Sequence, residues 1–317
     1  MPTLSQPATA HNLTAWFVVA PPPDAGVAVD YAVLEESING QTALIHETGN
    51  VNELFVENKG DVDLFIQAGD IVKGGRQDRT IGVDFIVPAR SGKVPLPAFC
   101  VEQSRWHRRH LESAVHFSKA SDLIASKKAL LAIRLAKSQH DVWQSVAEEQ
   151  ELLAKSVHRK VRSDESPTSL QLTYENEHVT RAVEDYLTVL EHAPLEAGGS
   201  VVGVVWAING SPSHADRYAS TTLFAKLWRK LLRAAATDAI LQRPPQPTEG
   251  RDTPVPTAAA IQDWLDGRPA AGAGSQDEQL PPRTLLRTER GESRHRFEAF
   301  DTAHPAAGAV HVAVLAQ

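Results

Sequence analysis

The sequence predicts an α+β protein: an N-terminal antiparallel β sandwich or barrel-like unit, a helical middle region holding one buried strand, and a small C-terminal strand addition. Three observations carry this reading. Between residues 13 and 106, short runs rich in β-branched and aromatic residues recur about every ten residues, with turn signals between them. From 141 to 243, apolar residues recur at helical spacing on either side of one continuous apolar run. Beyond 243, two stretches rich in Pro, Gly and Ala interrupt the chain before strand-like runs return. The expected regions are therefore 13–118, 119–243 and 244–317.

In chain order, the strand-like runs begin at Trp16, Tyr31, Ala43, Glu53, Asp63, Val83 and Lys93. Asn39-Gly40, Asn58-Lys59-Gly60 and Ala68-Gly69-Asp70 supply the turns. Pro88, Pro95 and Pro97 predict strand ends or a sheet edge, because proline cannot donate to a ladder. A short helical turn is expected near Leu34–Ile38. Leu131, Ile133 and Leu135 alternate as a strand would, amid alanines and lysines that favour helix, so both readings stay open there. Asp141 reads as the cap of a helix with Val142, Trp143, Val146 and Ala147 on one face, and 158–168 as a loop. Val179, Val183, Tyr186, Leu187 and Leu190 form a helical stripe that stops at His192-Ala193-Pro194.

The apolar run from Ser200 to Ile208 suits a buried strand, with Asn209-Gly210 as its turn. Ser220-Thr221-Thr222 opens a long helix striped by Leu223, Phe224, Leu227, Trp228, Leu231 and Leu232, ending before Pro244. In the tail, 244–256, with five prolines, and 267–282 read as exposed linkers. Ala258–Leu265 reads as a short helix between them. Arg283–Arg287, His295–Phe300 and Val310–Leu315 read as two or three closing strands around an Arg290-Gly291 turn.

The chain has 317 residues, 42% hydrophobic and 22% charged, enough to bury a core without crosslinks. One cysteine, Cys100, excludes an internal disulfide framework and a Cys-based zinc cage. Thirty-two Lys and Arg against 39 Asp and Glu give a net charge of −7, which argues against nucleic acid as a partner. The first twelve residues lack a basic leader, and the run Trp16–Ala20 is far shorter than a spanning helix. A cytoplasmic chain with no membrane partner is expected, and a homo-oligomer is compatible with the composition.

Chemistry concentrates in two blocks, Val72-Lys-Gly-Gly-Arg-Gln-Asp-Arg-Thr80 and Cys100-Val-Glu-Gln-Ser-Arg-Trp106. Residues 73–110 hold eight Lys and Arg (Lys73, Arg76, Arg79, Arg90, Lys93, Arg105, Arg108, Arg109) against three acids (Asp78, Asp84, Glu102), a local excess of +5. Paired glycines let backbone N–H groups approach a ligand, and flanking cations can bond a phosphate or carboxylate. The candidate ligand-binding set is Lys73, Gly74, Gly75, Arg76, Gln77, Arg79, Gln103, Arg105 and Trp106. Glu102 and Asp216 are the candidate acid–base residues. The spacing of a Walker phosphate loop is absent, and so is a Gly-x-Ser-x-Gly elbow. Cys100 near His107 and His110 could form a nucleophile site, but a lone cysteine after an apolar strand is more often a small buried side chain. His107 with His110, or His214 with Asp216, lacks a third ligand at a recognisable spacing, so no metal is expected. No cofactor signature stands out. Trp143 and Trp228 fall at core positions of helices, whereas Trp106 could stack on a ring.

These blocks are familiar. Glu53-Leu-Phe-Val-Glu-Asn-Lys-Gly60, Ala68-Gly-Asp-Ile-Val-Lys-Gly-Gly-Arg-Gln-Asp-Arg79 and Cys100-Val-Glu-Gln-Ser-Arg-Trp106 resemble a bacterial family of domains associated with ADP-ribosylglycohydrolases and the rhodanese/phosphatase superfamily. Asp141-Val-Trp143 and Val202-Gly-Val-Val-Trp-Ala-Ile-Asn-Gly210 with Asp216 resemble its later blocks, so the likeness spans about 13–243. At positions 70 and 78 the family pattern favours Glu and Asn where this chain has Asp. The resemblance implies a setting in ADP-ribose or NAD-derived metabolism and assigns no catalytic residue. Two functions follow. One is an enzyme or binding protein for a phosphorylated, nucleotide-like small molecule; the other is a non-catalytic binding or scaffold module in which the basic block is structural. Convergence of Arg79, Gln103 and Arg105 on a pocket favours the first, and burial of those arginines against acids favours the second.

Overall fold

The computed structural model describes residues 3–21, 29–103, 105–107, 109, 112–113, 115–244, 253–267 and 274–317, and at 118–122 the backbone alone. The chain forms two compact units that do not follow it linearly. One comprises Met1–Asp30 with Asp185–Gln317, the other Tyr31–Glu184. The linkers expected at 244–256 and 267–282 fall partly on 245–252 and 268–273, outside the described residues.

The Tyr31–Glu184 unit is built on a closed antiparallel barrel. Its strands run in the order Lys93–Cys100, Glu53–Asn58, Ala43–Glu47, His116–Ile124, Asp70–Gly74 and Arg79–Ile81, which returns to Lys93–Cys100. Strand alternation fills the interior: in Glu53–Asn58 every second residue, Leu54, Val56 and Asn58, is buried. Pro95 and Pro97 sit where their strand has only Glu53–Asn58 beside it, and Arg79–Ile81 joins from Ala98 onward. Each proline therefore occupies a locally single-sided stretch, as the ladder requires. A small sheet of Phe85–Val87, Leu64–Ile66 and Ala32–Val33 accompanies the barrel.

The open reading at 131–135 resolves as helix: Lys127–Leu131 runs into a π-helical turn, Ala132–Ala136, with Ile133 buried. The next helix, Gln139–Val157, starts earlier than expected. Ser138 is its cap, accepting the Asp141 N–H at 3.3 Å, and Asp141 lies inside the first turn.

The other unit carries a nine-stranded antiparallel sheet ordered Thr3–Leu4, Leu13–Ala20, Ser200–Ile208, Ser211–Tyr218, Ala309–Ala316, Arg294–Asp301, Thr284–Arg290 and Ser275–Leu280, with Ala8–Ala10 added to Leu13–Ala20. The Trp16 strand is thus paired with the buried strand Ser200–Ile208, not with the strands that follow it in sequence. Ser275–Leu280, inside the stretch read as linker, is an exposed edge strand. One face is covered by helix Thr221–Leu241, whose Trp228 stacks on Trp206 at 5.6 Å and meets Phe17 edge-on at 5.4 Å. On the opposite face, Ile261 of helix Ala258–Asp266 packs among Trp16, Val18, Val205, Ala215 and Val314. No helix among the described residues is long and apolar enough to cross a membrane.

Candidate functional site

The two blocks meet at one end of the barrel because of register. Arg79 opens one strand and pairs directly with Cys100, which closes its antiparallel neighbour. Asp78 and Val101 therefore lie opposite each other, joined by the Val101 N–H to the Asp78 carbonyl at 3.1 Å. The Gln77 amide donates to the Glu102 carbonyl at 2.9 Å. The Asp78 N–H donates to Glu102 Oε2 at 2.9 Å.

Around this seam the charges close on one another. Arg105 grips Glu102 through two parallel bonds of 2.7 Å each, and Ser166 donates to the same carboxylate. Arg109 donates to Asp78 Oδ1 at 2.6 Å, and Ser169 to Oδ2 at 2.8 Å. Arg79 donates to Gln77 at 3.2 Å and to the Cys100 sulfur, and lies 3.3 Å from Glu47. Asp78, Arg79 and Glu102 are fully buried, and Arg105 is 6% exposed. Burial, and next the Glu102 charge, push the Asp78 carboxyl up to about 6 against the pull of Arg109. Burial also acts upward on Glu102, but the Arg105 and Ser166 bonds and the Asp78 N–H outweigh it and hold that carboxyl below its usual value. Burial lifts the Cys100 thiol to about 11, so Cys100 is a buried thiol bonded to Gln77 at 3.0 Å.

The rest of the predicted set lies around the seam. Gly74 and Gly75 have φ of 126° and 57°. At Gly75 a Cβ would come within 2.6 Å of the Phe117 ring and 2.9 Å of Glu47 Oε2, so glycine is required there. Lys73 is paired with Glu175 at 2.6 Å. Arg76 is exposed, with its guanidinium 5.5 Å from the Trp106 ring; Arg79 lies 5.7 Å from that ring, and Trp106 is 42% exposed. Gln103 is exposed, its backbone tied to Thr168. Asp216 belongs to the sheet unit, where Oδ1 lies 3.0 Å from His311 Nε2. His110 and Arg108 lie outside the described residues. Glu47, Ser166, Ser169 and Glu175, from elements distant in sequence, and Glu112, just past the basic block, supply the partners that the block itself does not show.

No curated protein and no solved structure matches the chain. One family model does, over residues 2–314, extending beyond the 13–243 likeness to nearly the whole chain. The chain belongs to the family described as the ARG and Rhodanese-Phosphatase-superfamily-associated Protein domain.

Proposed function

We propose that this protein is a non-catalytic binding or scaffold module in which the two motifs serve to close the barrel. The observation that carries this reading is the mutual saturation of Arg79, Arg105 and Arg109 with Glu47, Asp78 and Glu102 inside the fold. A group that takes or gives a proton in a reaction must be reachable by substrate. Glu102, fully buried and gripped bidentately by Arg105, is built to stay ionised and enclosed.

The test is stability. Breaking one partner of a buried ion pair strands the other charge, at a cost of about 3–5 kcal/mol. Arg105→Met and Glu102→Leu should each lower the denaturation midpoint steeply, and the double variant should recover a large part of the loss. Single variants as stable as the parent would sink the architectural reading.

A second reading keeps a phosphorylated, nucleotide-like ligand at the barrel. It is favoured by the exposed Trp106 ring with the Arg76 guanidinium over it, a surface on which a base could stack. The family's association with ADP-ribosylglycohydrolases makes NAD and ADP-ribose the probes to titrate. Arg76→Ala and Trp106→Ala are the informative variants, since both side chains are exposed and neither supplies a charge to the buried ion pairs. Saturable binding of either probe that both variants abolish would establish this reading; heats indistinguishable from buffer at millimolar ligand would remove it.

A further inference from the structure

The block Val202-Gly203 through Asp216 takes no part in the barrel; it lies in the sheet unit. Register shows what it builds. One row of directly paired residues crosses five strands as Leu4, Val18, Gly203, Arg217 and Val312, and continues to Glu298 on a sixth. The neighbouring row runs Trp16, Val205, Ala215, Val314 and Arg296. Directly paired residues share a face. Arg217 and Arg296 therefore stand diagonally on the face that carries helix Ala258–Asp266, whose Ile261 packs on Trp16, Ala215 and Val314.

Gly203 leaves the first row without a side chain between Val18 and Arg217. A Cβ there would lie 2.5 Å from the Asp216 carbonyl oxygen and 2.9 Å from Arg217 Cα, and a β-bulge falls between Val201 and Gly203. A glycine at a bulge lets the neighbouring backbone approach closely. On this face lies a cavity of about 290 Å³, whose lining includes Thr3, Val18, Asp216, Arg217, Asp266 and Arg296.

Its charges are not closed as those of the barrel are. Among the described residues no carboxylate lies within ion-pair distance of Arg217. Arg217 is exposed, and partial desolvation followed by the Arg296 charge draws its guanidinium below the ordinary pKa, against the weaker pull of Glu298. Arg296 is bonded to Glu298 at 2.7 Å. Asp266 accepts from Gln262 at 2.7 Å through one oxygen. The Asp216 side chain, one residue from Arg217 and so on the opposite face, is directed to His311.

We infer that this cavity binds the phosphate group of a small hydroxylated molecule, with Arg217 and Arg296 as the guanidinium pair that holds it. Arg217 brings a guanidinium that no carboxylate among the described residues pairs with, Arg296 shares its charge with Glu298, and a guanidinium matches phosphate oxygens in pairs. Thr3 adds a neutral donor at the rim, and the second oxygen of Asp266 can accept a ligand hydroxyl. The volume is at the small end of ligand pockets and suits a pentose phosphate. The site is independent of the barrel readings.

The experiment is calorimetric titration of the full chain with ribose 5-phosphate and with ribose, in a phosphate-free buffer of low ionic strength. Saturable binding of ribose 5-phosphate is expected, with ribose silent. Arg217→Ala should weaken binding at least about tenfold without moving the thermal midpoint, Arg217→Lys should fall between, and Trp106→Ala should bind as the parent does. The inference is overturned if ribose 5-phosphate gives no saturable heat at millimolar concentration, if ribose binds equally well, or if Arg217→Ala keeps the parent affinity. Loss of binding in Trp106→Ala with retention in Arg217→Ala would likewise overturn it and move the phosphate to the barrel.

Discussion

Glu149 is enclosed completely, with Ser126 and Tyr174 donating to its two oxygens, yet burial still pushes its carboxyl up to about 7. Below the ordinary carboxylate range both folded and unfolded chains carry the proton, and folding is unaffected. As the pH rises toward 7 the unfolded chain releases its proton first, so stability falls across that window and levels off above it. The full effect is on the order of 3 kcal/mol. Glu149→Gln should flatten the profile and raise the urea midpoint at pH 8 while changing it little at pH 4. A parent protein equally stable at pH 5 and pH 8 would contradict this. Gly75 offers a second residue-level test. Its φ of 57° and the 2.6 Å approach of the Phe117 ring mean that Gly75→Ala combines backbone strain with a clash. A loss of about 1–3 kcal/mol is expected in chemical denaturation.

Helix starts illustrate how far local chemistry reads through. Ser126, Ser138, Ser169, Ser220 and Thr257 each accept an N–H from the third residue of the helix they open. The Ser220 cluster was legible because an apolar stripe follows it directly. Ser138 was not, because Asp141 three residues on is an equally good cap in sequence terms, and only the backbone distinguishes them. Ser169 does two jobs, capping Leu170–Tyr174 and donating to buried Asp78. Ser169→Ala should therefore cost about 2 kcal/mol or more, against about 1 kcal/mol for Ser220→Ala. Equal losses in the two variants would show that the Asp78 bond adds nothing. Strand existence was equally legible, from the stripe of Ser200–Ile208 to the prolines of Lys93–Cys100, since both follow from single-residue constraints. The exposed strand Ser275–Leu280 was hidden, because SQDEQL has no apolar face to reveal it.

On the scale of the whole chain, pairing partners are remote, and there the sequence pattern runs out. The local excess of +5 in residues 73–110 suggested an anion site, but Glu47, Asp61, Glu112 and Glu175 neutralise Arg79, Arg90, Arg109 and Lys73 from outside that window. Leu13–Ala20 likewise finds its partner near residue 200. Deletion of the first twenty residues should consequently unfold the sheet unit and spare the barrel. Hydrogen exchange would then show Ser200–Ile208 deprotected and Glu53–Asn58 still protected; loss of protection in both would refute it. The buried thiol has a practical corollary of the same kind. Thiol reagents attack the thiolate, and Cys100, lifted to about 11 and enclosed between Gln77 and Arg79, presents almost none at neutral pH. It is the only cysteine in the chain, so each labelling event records one opening of the barrel, and the labelling rate in rising urea reports the barrel's own unfolding free energy, separately from that of the sheet.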